Sequence, residues 1–181
     1  MGYPDFVSGD VLNASDMNAV GLWLVKTQTV GTGVSSVTVT GAFSATYDYY
    51  KITYTGGTGS AQNPFNMTLG STTTGYYWGA VLGRYDNAGS LAGGVSNGAN
   101  WSSIGFTDPI GNLFSCELTN PFLTLKTGIS ALHWDARTGG GTGFGVTGGH
   151  LANSTSYTAF TLGLASGTMT GGIIRVYGYR N

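Results

Sequence analysis

Apolar and polar positions divide the chain into a short lead with helical spacing and a long body that alternates with period two. In the lead, Met17, Val20 and Leu24 form one apolar stripe, and Asn13 with Asp16 three residues on supplies a natural helix start. A helix this short is marginal in water by itself, so it must dock on something else. In the body, residues 47–54 are the densest run. Tyr50, Ile52 and Tyr54 share one face, and Tyr49, Lys51 and Thr53 the other. Alternation also predicts strands at 23–29, 34–39, 65–69, 76–82, 101–106, 113–118, 122–125, 129–135, 146–151, 157–164 and 173–179. Residues 31–33 read as the turn of a first hairpin joining 23–29 to 34–39. Residues 83–100 read as a long, weakly patterned loop, and the glycine-rich stretch 139–149 as a second mobile one. In the last run Ile174 and Val176 share one face, while Ile173, Arg175, Tyr177 and Tyr179 share the other. Apolar residues on both faces predict a strand covered on both sides, either central in its sheet or pressed against a neighbouring subunit, within which Arg175 needs a partner or an opening to water.

Such spacing, with prolines only where edges or turns accept them, predicts an all-β fold, an antiparallel β-sandwich. The 181 residues suit a short segment at 1–25 followed by one sandwich domain at 26–181. The 32 glycines have no triplet period, which excludes collagen. A hydrophobic content of 41% and an aromatic content of 13% argue against disorder over the whole length.

Charge changes the picture more. Only 8% of residues are charged, and the formal net charge is −1. No basic stripe is present to neutralise phosphates, so nucleic acid is not an expected partner. A surface this neutral implies burial in an assembly, solubility resting on Thr, Ser and Asn, or both. The single cysteine, Cys116, can form no intrachain disulfide. Placed between Phe114 and Leu118 in an alternating run, it is expected in or near the core. No signal-peptide pattern and no long apolar run occur, so synthesis in a cytoplasm and no membrane span are expected.

Catalytic chemistry finds little support. His133 and Asp135 would share one strand face about 7 Å apart by strand rise, and a serine from elsewhere could complete a triad. The alternative is a polar pair at a strand end beside Trp134. No nucleophile elbow, phosphate loop or calcium loop is present. His150 has no partner at metal-ligand spacing, and Asp86, Asp108, Glu117 and Asp135 are scattered singly. No enzyme activity, metal or cofactor is expected. Tyr76, Tyr77, Trp78, Tyr85 and Trp101 bracket residues 83–100, and two readings stand for them. Exposed ring faces could stack on sugars, with Tyr77, Trp78, Tyr85 and Trp101 as the glycan contacts, or the rings could serve core and subunit packing.

Four motifs together carry a resemblance. The lead Phe6-Val-Ser-Gly-Asp-Val-Leu-Asn-Ala-Ser-Asp-Met-Asn18 resembles the opening of many small bacteriophage tail and appendage proteins. The strand Tyr47-Asp-Tyr-Tyr-Lys-Ile-Thr-Tyr54, the segment Leu118-Thr-Asn-Pro-Phe122 and the ending Gly172-Ile-Ile-Arg-Val-Tyr-Gly-Tyr179 follow in the order of phage fibre, head-fibre and decoration domains. The resemblance implies a jelly-roll-like sandwich that forms a homotrimer on a virion, without catalytic residues. Residues 83–100 depart from the pattern. The expectation is a virion structural protein of decoration or fibre type, made in the host bacterial cytoplasm. Phe6, Val11, Leu12, Met17 and Val20 would anchor it to a capsid or tail component. A receptor-recognition module that binds a host surface glycan is the alternative.

Overall fold

Valine, tyrosine, threonine and phenylalanine in alternation build extended chain throughout, and every regular element among the described residues is a β-strand. The computed structural model describes residues 11, 21–84, 90–135 and 143–179. In order the strands are β1 (Leu22–Thr29), β2 (Ser36–Val39), β3 (Tyr49–Thr55), β4 (Thr58–Gly59), β5 (Asn63–Leu69), β6 (Tyr76–Arg84) and β7 (Ser90–Gly98). They continue as β8 (Trp101–Asp108), β9 (Gly111–Thr119), β10 (Thr127–Asp135), β11 (Gly143–Leu151), β12 (Phe160–Leu164), β13 (Met169–Thr170) and β14 (Ile173–Tyr179). All pairings are antiparallel. The larger layer runs β1-β14-β3-β9-β10-β11-β6-β7, and the smaller runs β2-β12-β5-β8. A tight hairpin from β8 to β9 joins the layers at one corner, where the Asp108 carboxylate accepts the N–H groups of Ile110 and Gly111 at 2.7 and 2.9 Å. β4 and β13 form a separate short ribbon.

The core lies between the layers. Tyr50, Ile52 and Tyr54 of β3 and Ile174 and Val176 of β14 are buried, on the faces that the alternation assigns to them. From the smaller layer, Phe65 meets the rings of Tyr54 and Phe114 edge-on at 5.8 and 5.4 Å, and Trp101 meets Tyr76 at 5.0 Å. Edge-to-face geometry sets the positive rim of one ring against the negative face of another. Buried phenols keep polar partners: Tyr50 donates to the Ser44 carbonyl at 2.9 Å and Tyr54 to the Gly171 carbonyl at 2.7 Å. Cys116 is buried as expected, and burial pushes its thiol far up.

The motif segments other than the lead meet in space, because β14, β3 and β9 are neighbours. Gly178 is required: a Cβ there would overlap the ring of Tyr47. Asn120 takes the left-handed conformation at φ 59°, and its N–H donates to the Asp48 carbonyl at 2.7 Å. Arg175 finds its partner in the Thr55 hydroxyl at 2.9 Å.

Five sequence expectations are corrected. Residues 22–29 and 34–39 are not a hairpin: β1 pairs with β14 and β2 with β12, so residues 30–35 pass between layers. Backbone bonds from Val30 to Gly172 and from Gly171 to Gly31 hold that crossing. The loop expected at 83–100 is largely strand, since β7 closes a hairpin on β6. The glycine-rich 143–145 is likewise the start of β11, which continues into the strand expected at 146–151. Residues 122–125 form no strand, because left-handed Asn120 and then Pro121 turn the chain away from β9. Finally, Leu24 does not extend a helix: it pairs with Tyr177 in β1, so residues 22–25 belong to the sandwich. The remaining helical expectation at 13–20 lies outside the described residues.

Candidate functional site

Alternation in the larger layer leaves a second, outward face that no described layer covers. Two regions of different character share it.

The polar region lies on β14, β3 and β9. Register places Tyr179 opposite Tyr49, and Lys51 opposite Glu117. The Glu117 carboxylate accepts the Tyr49 hydroxyl through one oxygen and the Tyr179 hydroxyl, at 2.8 Å, through the other. The two rings pack edge-on at 4.7 Å. Partial burial pushes the Glu117 carboxyl up, but the two phenol donors and the Lys51 charge outweigh it and hold the group below its usual range. The bond to Glu117, then burial, pushes the Tyr49 phenol up to about 12. Burial and the same carboxylate raise Tyr179. Beside this cluster a shallow pocket of about 90 Å³ is lined by Lys51, Ser115, Cys116, Glu117, Ser130 and Leu132. Sequence reasoning treated Glu117 as an isolated acid. The signal that could have found the cluster is parity: Tyr49, Lys51 and Tyr179 all fall on faces opposite the core residues.

The apolar region lies on β10, β11, β6 and β7. Leu132 pairs with Val146, Val146 with Val81, and Val81 with Ala92, so all four share one cross-strand row. Leu132 is 60% exposed, Val81 53%, Val146 48%, and Phe144, two residues from Val146, 44%. The parallel row of Ser130, Gly148 and Gly79 is small and open, since no Cβ contact would arise at Gly148. Beyond it His150 lies opposite Tyr77, and their rings stack at 5.0 Å with planes 1° apart.

Of the expected glycan contacts, only Tyr77 lies on this face with its ring accounted for. Trp101 is corrected: it is fully buried against Tyr76 and offers no ring face to a sugar. Trp78 is half-buried on the opposite face of β6, packed against the core. Tyr85 lies outside the described residues. So do Phe6, Leu12, Met17 and Val20 among the expected anchors; Val11 is 78% exposed. His133 and Asp135 lie on β10 opposite Gly145 and Gly143, and their side chains are outside the described part. Among the described residues no three His, Cys, Asp or Glu side chains converge as a metal site would require.

Comparison with protein-family models, with curated proteins and with solved structures finds no match in any of the three.

Proposed function

We propose that this chain is a bacteriophage virion structural protein, a trimeric β-sandwich mounted on the capsid or tail through its N-terminal lead. The observation that carries the reading is a sandwich whose larger layer turns outward an apolar face that no described element covers, in a chain with 8% charged residues. Apolar burial and hydrogen bonds, rather than ion pairs, suit subunit contacts of this kind. The phage attribution rests on the lead and on the three body motifs, whose residues organise β14, β3 and β9. The reading assigns no reaction to the chain and no cofactor. Its partners are further copies of itself and another virion protein, which the lead engages.

Deleting residues 1–20 tests it. The first described strand starts at Leu22, so the shortened chain is expected to fold and to melt like the parent. It is expected to lose incorporation into particles. Normal occupancy of the shortened chain on virions would remove the anchoring role.

A second reading, recognition of a host surface glycan, is favoured by one observation. The Tyr77–His150 stack borders the open row at Gly148 and Gly79, where a sugar ring could lie flat. Glycan-array binding that disappears in Tyr77→Ala and survives in Trp78→Ala would support it.

A further inference from the structure

Strand β7 closes the larger layer on one side, and from Ser90 to Val95 it is an edge with little protection; a bulge lies past Val95, where Asn97 is left-handed at φ 57°. Its nine residues contain no proline and no charged side chain, and among the described strands it pairs only with β6. Natural edges of this length are normally protected by lysine, proline, a strong bulge or a covering loop. Here the positions Ala92 to Asn97 are all exposed. The apolar row Leu132–Val146–Val81 runs across the sheet and ends on this edge at Ala92. Face and edge therefore form one continuous surface.

We infer that this surface, the outward face of β10, β11, β6 and β7, is where copies of this chain pack against one another. The inference rests on the self-associating reading above and names the face responsible. Two arguments select a second copy as the occupant. The first is charge. Among the described side chains that point to this face, none is Asp, Glu, Lys or Arg; the nearest are Glu117 and Lys51, on β9 and β3. Surfaces near a symmetry axis meet their own equivalents, so any charge there faces its own sign. Next to the three-fold axis of the proposed trimer, a face with no described charge meets its equivalents without that cost, whereas a foreign partner is ordinarily steered and registered by opposite charges. The second argument is size. The four strands have nine residues each. Their face measures about 30 Å by about 19 Å, roughly 570 Å² in projection, just under the ~600 Å² per partner at the low end of standard stable interfaces. The polar cluster at Glu117 then lies at the rim, where hydrated groups belong.

The test uses the purified full chain and sedimentation velocity at micromolar concentration. The parent is expected to sediment as a multimer. Leu132→Lys with Val146→Lys is expected to sediment as a monomer with unchanged far-ultraviolet circular dichroism. Ile110→Lys is expected to behave like the parent, because Ile110 is 82% exposed but sits in the β8–β9 turn, away from this face. Two lysines on paired strands could unsettle the sheet, so the milder Leu132→Thr with Val146→Thr is measured too. That pair is expected to weaken association at least tenfold while the melting curve holds. A monomeric parent overturns the inference, as does a parent-like mass for both folded double variants. Particle incorporation separates this from the virion reading. Multimers that dissociate on substitution at this face but never join particles would sink the virion role and leave the interface standing.

Discussion

Trp101 and Glu117 are each decided by which way one side chain points. Trp101 begins β8 with its ring driven into the core against Tyr76, so its large apolar area works for stability alone. Trp101→Ala is expected to lower unfolding free energy by about 3–5 kcal/mol, as for other buried aromatics cut to alanine. Chemical denaturation measures this, and any glycan binding by the folded fraction is expected to be unchanged. Glu117 points outward and collects two phenols. Its folded pKa is lowered, so the stability it contributes is present above the ordinary value of 4.5 and is lost as pH falls through the lowered value. Tyr49 runs the other way. Its folded value is raised from 10.0 to about 12, so its contribution is complete below pH 10 and is lost as pH rises toward 12. Glu117→Gln is expected to flatten the acid side of the melting-temperature profile. It is also expected to flatten the alkaline side, because the folded Tyr49 value falls back toward 10.0, with phenolate absorbance appearing at lower pH than in the parent.

At the scale of elements, local pattern and pairing diverge. β3 and β14 were legible because branched and aromatic residues alternate cleanly there, and burial follows that alternation residue by residue. β7 was not legible: Ser-Leu-Ala-Gly-Gly-Val-Ser-Asn-Gly lacks period-two contrast, and Ala92 to Asn97 are exposed on both faces. The start of β11 was hidden by glycines that serve close strand approach rather than a turn. At Gly149 a Cβ would run into the Tyr77 carbonyl and lie 2.9 Å from the Trp78 Cα. Gly149→Ala is therefore expected to spread β11 from β6 and speed hydrogen exchange of the β11 and β6 amides, whereas Gly148→Ala, with open space at its Cβ, is expected to exchange like the parent. The crossing after β1 was missed for another reason. The turn residues at 31–33 announce a change of direction, but which strand β1 pairs with is settled by Gly171 and Gly172, some 140 residues away along the chain. The polar half of the candidate site was half legible. The faces of Tyr49, Lys51 and Tyr179 follow from alternation, but their meeting at Glu117 depends on the order β14-β3-β9, which no local pattern states.

For the whole molecule, closure is the deciding feature. β1 opens the described sandwich and β14 ends it, and the two pair along their length from Leu22 opposite Tyr179 to Thr29 opposite Ile173. β14 also pairs with β3, so it lies inside the sheet rather than at its border. Ile174 and Val176 on its inner face are fully buried, while Tyr177 and Arg175 stay half-exposed on the outer face. Every completed fold thus waits for a contact between the two ends of the body, and long-range closure of this sort makes all-β chains slow to fold and strongly cooperative. The two ends are therefore expected to respond very differently to truncation. Removing residues 1–20 takes away no described strand. Removing residues 173–181 takes away β14, strands β1 and β3 from each other, and uncovers Tyr50 and Ile52. The second truncation is expected to abolish the cooperative thermal transition altogether, not merely to shift it. Val176→Asp in the full-length chain is expected to approach that outcome, losing several kcal/mol because an unpaired carboxylate enters the core. Tyr177→Ala, on the outer face of the same strand, is expected to leave most of the melting temperature in place. Calorimetry of the truncation and both variants checks the order. A cooperative, parent-like transition without β14 would mean that the two ends of the body are not what closes this sandwich.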